Sequence, residues 1–259
     1  MIISAFSIIG ISVSLVLIYE EEVVNLIIKE LNKYLKTEVR IDPKNIDLTI
    51  IKSFPNCAIE FKELTAMDPK EFKINDTLLY AQRLSLAFNI KDLFNKNYTI
   101  KKIELENAHA NLKVDKKGNA NYLVWKSDSS SSGNDSLKFA LEKISLINVD
   151  LSYKNNKHKI KLNTHIKELH FKGKFNEDNY TLISDGKAYV ELFQIEKIKY
   201  LNRKNLKFDI EFDVNGSNYA IKKSETSINE TQIISSGSFN VQDSLRALDI
   251  VFNGKNLDI

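Results

Sequence analysis

Between residues 206 and 214 the sequence alternates strictly between apolar and charged side chains. Leu206, Phe208, Ile210, Phe212 and Val214 alternate with Lys207, Asp209, Glu211 and Asp213. Successive side chains of a β-strand point to opposite faces, so five apolar side chains share one face and four charges share the other. The pattern predicts an antiparallel strand with one buried or otherwise covered face.

Weaker copies of this period occur at 108–114, 169–171, 239–241 and 248–252. Between 144 and 153 the alternation slips by one residue at Leu146 and Ile147 and resumes with Val149, which a β-bulge would explain. We therefore predict a first β region at 37–126 and a second at 137–259. A Ser-rich loop or flexible linker at 127–136 separates them, and one short helix interrupts the first region at 90–95. The alternation still continues at Ile259, so the sheet is expected to be incomplete there.

The first nineteen residues contain no charged side chain. A helix of that length spans about 30 Å, the thickness of a bilayer's hydrocarbon core, so residues 1–19 are predicted to be a transmembrane anchor. Residues 20–36 carry apolar side chains at three-to-four-residue intervals and predict an amphipathic helix. A cleaved signal peptide and a buried core helix are the alternatives. The run lacks both a preceding basic residue and a small-x-small cleavage site, which favours the anchor.

The sequence leaves open which side of the membrane the chain that follows the predicted anchor lies on. The nearest lysines follow the apolar run, so a literal positive-inside count would leave the bulk of the chain in the cytoplasm. Long domains, however, cross membranes largely regardless of charge.

Composition and motifs argue against several classes of function. The 37 basic and 34 acidic residues are interleaved, with no basic block, so nucleic acid is not an expected partner. Cys57 is the single cysteine, which excludes an internal disulfide and predicts a small buried apolar residue.

No metal-ligand spacing is found among the four histidines, which are His109, His158, His165 and His170. In a regular strand His165 and His170 would lie on opposite faces. Without a catalytic motif, we expect no enzymatic activity, cofactor or metal.

A set of short fragments between residues 31 and 122 resembles the start of the AsmA family of envelope proteins. The fragments are LNKYL at 31–35, VRI at 39–41, Ile46, SFP at 53–55, IEFKEL at 59–64, AQRLSL at 81–86, DLF at 92–94, YTIKKIEL at 98–105, NA at 107–108, DKKG at 115–118 and NY at 121–122. The resemblance rests on their order and spacing. It covers over a third of the chain, and the family's basic residues ahead of the membrane helix are missing.

The resemblance implies a single-pass protein of the inner membrane of a two-membrane bacterium, with the bulk of the chain in the periplasm. It further implies a mainly β fold: a transmembrane helix and a short amphipathic helix, then a long, curled antiparallel sheet whose apolar groove conducts phospholipids. Family members contribute to outer-membrane biogenesis and lipid homeostasis, and no catalytic motif transfers from them to these residues.

The candidate groove residues are the apolar members of the alternating segments: Leu206, Phe208, Ile210, Phe212, Val214, Leu112, Val114, Phe171, Phe239 and Val241. The same residues would form an ordinary core in a closed sandwich or barrel, and this alternative stays open. A second functional hypothesis is a non-enzymatic assembly or scaffold factor that offers strand edges to outer-membrane proteins or other envelope proteins. A weaker third is an adhesion or receptor module.

Overall fold

A computed structural model describes residues 35–49, 56–69, 72, 76–89, 99–124, 138–175, 177–241 and 246–256. The predicted anchor at 1–19, nearly all of the predicted helix at 20–36, the predicted helix at 90–95 and the linker at 127–136 lie outside these residues. Nowhere in the described ranges does a helix have the length and hydrophobicity needed to cross a membrane.

The described chain is mainly β, as predicted. Twelve strands and one 3₁₀ turn follow one another: β1 Val39–Arg40, the turn Pro43–Asn45, β2 Ile46–Thr49, β3 Asn56–Met67, β4 Thr77–Asn89, β5 Thr99–Val114, β6 Lys138–Asn155, β7 Ile160–Lys172, β8 Asn179–Ile195, β9 Ile198–Asn215, β10 Asn218–Ile228, β11 Thr231–Val241 and β12 Arg246–Lys255.

All twelve strands belong to one long, curled sheet that does not close on itself. From β3 to β12 each strand pairs with the next in sequence, while β1 and β2 both pair with β3. The pairings are antiparallel except for β5 and β6, which run parallel. A parallel pair needs a long return connection, and residues 115–137 supply it. The two predicted β regions are thus continuous parts of one sheet.

The slip predicted at Leu146 and Ile147 is present, but its cause differs from the predicted bulge. Asn148 has a positive φ of 54°, and the pairing of β6 with its two neighbours keeps the same register on either side of it. A left-handed residue reverses which face the following side chains occupy, and Asn tolerates this conformation better than most residues.

The same reversal of faces occurs at adjacent positions of several strands, and these positions form a row across the sheet. Asn107 lies between the paired positions 106 and 108 of β5, directly beside Asn148, and also has a positive φ. Glu63 occupies the same row in β3 and has a φ of 55°. In β7 the row continues as a register shift between Ile166 and Glu168. Neighbouring strands therefore reverse together, and their apolar side chains stay on one common face.

The core lies on this common face. Ile59 and Phe61 are 1% and 2% exposed and pack with Leu86, Phe88 and other apolar side chains of β3 to β5. A second cluster contains Ala81, Leu105, Ala108, Val149 and Ile166. Most of the contacts between described elements are between strands that are neighbours in the sheet. Burial therefore comes from the curvature of the sheet, which brings side chains of the same face together.

Candidate functional site

The ten predicted groove residues lie on one face of the sheet. Two residues that are paired across neighbouring strands lie on the same face, so the strand register shows which face each candidate residue occupies. Phe171 pairs with Ser184, which pairs with Ile210 of β9. Phe239 pairs with Tyr219, which pairs with Val214. Leu112 and Val114 extend the face on β5, two positions apart, and Val241 follows Phe239 at the same spacing.

Aromatic contacts join the candidate residues across β9 to β11. The rings of Phe212 and Phe239 meet edge to face with their centroids 5.8 Å apart, and Tyr219 stacks on Phe239 at 4.6 Å. Beside them, Gly186 leaves room for Leu169 and Phe208, since a Cβ at this position would lie 3.0 Å from a side-chain atom of each. The apolar surface is therefore continuous from β7 to β11.

Exposure on this face increases from the first strands to the last. Whereas Ile59 and Phe61 are buried, Phe252 and Leu248 of β12 are 65% and 72% exposed. No second layer is formed over the face by the residues that the structure describes. The hydroxyl of Ser184, which is buried between Phe171 and Ile210, has no hydrogen-bond partner among the described residues, so its surroundings are apolar. The side chains of this face are thus buried at β3 and exposed at β12; we call the face the groove and its buried end, at β3, the narrow end.

The narrow end contains an apolar cavity of about 370 Å³. It is bounded by the first strands on one side and by β5 with the returning segment 120–124 on the other. The backbone N–H of Lys36 donates to the Val124 carbonyl at 2.7 Å and joins the two sides. The lining includes Leu35, Val39, Phe61, Leu64, Leu84, Leu86, Ile103, Leu112, Tyr122 and Val124. Sequence reasoning identified Leu112 but missed the cavity, because no local pattern reveals the return of 120–124.

A buried polar network holds this returning segment. Asn121 is fully buried; its Nδ2 donates to Asp68 Oδ1 at 2.7 Å and to the Asn111 carbonyl at 2.8 Å, and its Oδ1 accepts from the Lys113 N–H at 2.7 Å. The Lys113 ammonium lies 3.0 Å from Asp68 Oδ2 and 2.7 Å from Asp76 Oδ2. The hydrogen bond from Lys113 lowers the pKa of Asp76, and the Thr77 N–H adds to the effect.

The opposite face of the sheet is polar. Arg83 lies 2.7 Å from Glu104 and 2.8 Å from Glu106, with Glu60 at 3.5 Å. On the later strands Lys223 pairs with Asp209 at 2.7 Å. Lys222 pairs with Asp213 at 2.8 Å, so two of the four charges that alternate with the groove residues on β9 form cross-strand ion pairs on the outer surface.

Three of the histidines also lie on this outer face. His109 Nδ1 and His165 Nδ1 lie 3.0 Å and 2.7 Å from the two oxygens of Asp150, and His170 Nδ1 is 3.1 Å from Ser145 Oγ. The expectation that His165 and His170 occupy opposite faces is therefore wrong. The register shift between them, at Ile166 and Glu168, returns both to the same face.

The remaining reactive groups are accounted for by packing. Cys57 is fully buried beside Ile59 and Phe88, and burial raises the pKa of its thiol to about 11. The described part of the chain has no group of three His, Cys, Asp or Glu side chains positioned to hold a metal. The site that the geometry of the described residues offers is thus an apolar surface.

Comparisons of the chain with protein-family models, with curated proteins and with solved structures find no match. The resemblance to the AsmA family stays a prediction from the fragments described above.

Proposed function

We propose that the chain is a membrane-anchored periplasmic protein that binds or conducts phospholipids along the apolar groove, and so contributes to outer-membrane biogenesis or lipid homeostasis. The observation that supports this proposal best is the open apolar face. It runs across a single sheet, becomes more exposed towards β12, and has a charged face behind it.

The energetics favour acyl chains as occupants. Each CH₂ group sheltered from water contributes about 0.8 kcal/mol, so an apolar surface of this length can hold an acyl chain without polar recognition. The phospholipid headgroup stays outside in water. No catalysis is required, because moving a lipid along the groove exchanges one apolar contact for another.

Photo-crosslinking at adjacent positions of β9 tests the proposal. The full chain is produced in a bacterium with two membranes, with a photoreactive phenylalanine analogue at Phe208 in one variant and at Lys207 in the other. The two positions lie on opposite faces of the same strand. We expect phospholipid adducts at Phe208 and none at Lys207. Equal adducts at both, or none at Phe208, would contradict a lipid-filled groove.

A charge in the groove provides a second test. Phe208→Asp should remove co-purifying phospholipid, as measured by mass spectrometry, while Lys207→Asp should not. Both variants should keep the circular dichroism spectrum of a β-sheet. Loss of the fold in Phe208→Asp alone would indicate that the residue belongs to a closed core, as in the alternative considered from the sequence.

One observation favours the second candidate, a non-enzymatic assembly or scaffold factor for outer-membrane proteins. Among the described strands β12 is the last in the sheet order, and Leu248 and Phe252 are highly exposed on it. An exposed edge strand is a template for pairing with an extended polypeptide. Crosslinkers placed along β12 should capture an outer-membrane protein if this function holds, and lipid without polypeptide if it does not.

A further inference from the structure

Lysines far apart in sequence meet at one end of the sheet. The turn after β5, the turn between β6 and β7 and the turn between β8 and β9 are adjacent. The Asn156 N–H donates to the Val114 carbonyl at 2.8 Å, and the Glu196 N–H donates to the Lys159 carbonyl at 2.8 Å. A Cβ on Gly118 would lie 3.2 Å from Lys157 Nζ, so the first two turns are in contact.

These turns and the strand ends beside them form a surface that we name the basic rim. It consists of eight exposed lysines: Lys116, Lys117, Lys154, Lys157, Lys159, Lys161, Lys197 and Lys199. The acidic residues within the three turns are Asp115 and Glu196. Asp115 accepts hydrogen bonds from the N–H groups of Lys117 and Asn119, and Glu196 lies 3.4 Å from Lys159. The rim therefore carries a large excess of positive charge.

Apolar side chains project beside the lysines. Ile198 and Tyr200 are 61% and 57% exposed, and they alternate with Lys197 and Lys199 at the start of β9. Ile198 pairs with Ile195, and the ring of Tyr200 lies 5.9 Å from that of Phe193, so both lie at the mouth of the groove. The β8–β9 hairpin extends beyond β10, which pairs with β9 only from Leu206 onward.

We infer that the basic rim, with Ile198 and Tyr200, binds the surface of a bilayer that contains anionic phospholipids. Lysines attract an anionic leaflet at long range, while an aliphatic and an aromatic side chain enter the boundary between headgroups and acyl chains. The inference goes beyond the proposed function, because the rim can bind a membrane whether or not the groove holds lipid.

A nucleic acid is the competing polyanion, and the residues favour the membrane. The cations of the rim are all lysines, whereas phosphate recognition in nucleic acids favours the bidentate geometry of arginine. The exposed aliphatic side chain of Ile198 has no role in contacting a phosphate backbone, but it matches the apolar part of a bilayer interface.

The test uses the full chain reconstituted into vesicles of phosphatidylcholine, with or without phosphatidylglycerol. A fluorescent maleimide is attached to Ile198→Cys, and a matched probe is attached to Ser217→Cys in the turn after β9, about 55 Å away along the strand. Cys57 should stay unlabelled because it is buried. Spin-labelled lipids should quench the probe at position 198 in the anionic vesicles and leave the probe at position 217 unquenched. Absence of quenching at position 198 would overturn the inference.

Matched charge reversals test the lysines. The rim variant combines Lys117→Glu, Lys157→Glu and Lys197→Glu, one from each turn. The control variant combines Lys167→Glu, Lys172→Glu and Lys207→Glu, which are exposed elsewhere on the sheet. We expect the ratio of docked to undocked protein to fall about a hundredfold or more in the rim variant only. The inference would be overturned if this ratio fell equally in both variants or fell in neither.

Two further measurements keep the outcome decisive. If the rim variant does not fold, raising the salt concentration must release the unsubstituted chain's probe from anionic vesicles, since screening weakens the attraction. If the rim variant loses affinity for a single-stranded RNA oligonucleotide but keeps its quenching, the rim binds nucleic acid and the inference is overturned. Lysine-dependent quenching in a chain that yields no phospholipid adduct at Phe208 would support the inference while rejecting the proposed function.

Discussion

Gly237 is the residue whose replacement should separate the last strand from the rest of the sheet. Its φ is +125°, and it pairs with Ile250 in the middle of the β11–β12 ladder. A Cβ added here would lie 2.0 Å from the backbone oxygen of Asp249, whereas real Cβ atoms stay at least 3.0 Å from such neighbours. In Gly237→Ala the two backbones must therefore separate by about 1 Å, the difference between these distances.

A separation of this size removes hydrogen bonds. An N–H···O bond of about 2.9 Å lengthened by about 1 Å exceeds the range in which it contributes. Each lost bond costs about 0.5 to 1.5 kcal/mol, and an alanine at positive φ adds about 1 to 2 kcal/mol. The cost is thus about 2 to 4 kcal/mol. It falls on an edge strand that can open without unfolding the sheet.

Hydrogen exchange followed by mass spectrometry measures this cost locally. Amides of β12 should exchange about 30-fold to 1,000-fold faster in Gly237→Ala, since each 1.4 kcal/mol is a factor of ten. Gly216→Ala is the matched control, because Gly216 also has a positive φ but has no atom within 4 Å of an added Cβ. Equal exchange of β12 in the two variants would refute the steric argument. If the amides of β3 to β5 exchanged faster by the same factor, the conclusion that β12 opens without unfolding the rest of the sheet would be refuted.

Two predictions concern the narrow end of the groove. Asn121→Ala removes the donor to Asp68 Oδ1 and to the Asn111 carbonyl and the acceptor of the Lys113 N–H. The free energy of unfolding should therefore fall by about 2 to 4 kcal/mol in chemical denaturation, while the exposed Asn156→Ala should change it by less than about 0.5 kcal/mol. The lowered pKa of Asp76 stabilises the fold fully above the unfolded pKa of 3.8, and this stability is lost as the pH falls through the lower folded pKa. Asp76→Asn should therefore remove this acid-dependent step from a plot of the free energy of unfolding against pH. A step that persists in Asp76→Asn would belong to another carboxylate.

The sequence predicted the strands and the composition of the groove because both follow from a local period. The alternation at 206–214 lies within β9. The ten candidate residues share a face because the period of two holds within each segment and neighbouring strands reverse together where it is broken. The reversal in β6 was also visible, as a slip at Leu146 and Ile147. The sequence did not reveal the cause of this reversal, because a bulge and a left-handed Asn148 change the pattern of faces in the same way.

The cavity and the basic rim could not be predicted, because each depends on contacts between distant segments. Lys117, Lys157 and Lys197 are forty residues apart from one to the next, so no window of sequence contains a basic block. They meet because β5 and β6 are parallel, which places the turn after β5 beside the turn after β6. A purely antiparallel sheet, as predicted, would have placed these two turns at opposite ends.

The row of left-handed residues explains how such long strands keep a single apolar face. β6 has 18 residues, a length of about 60 Å, and Leu146 and Val149 lie on its apolar face although they are three positions apart. If Asn148 alone reversed the alternation, one half of β6 would present apolar side chains beside the charged side chains of β5 and β7. Asn107 reverses β5 in the same row, and the shift at Ile166 does so in β7. A coordinated reversal has no use in a sheet whose two faces are equivalent. It preserves one continuous apolar face, which is the property that a lipid-binding groove requires.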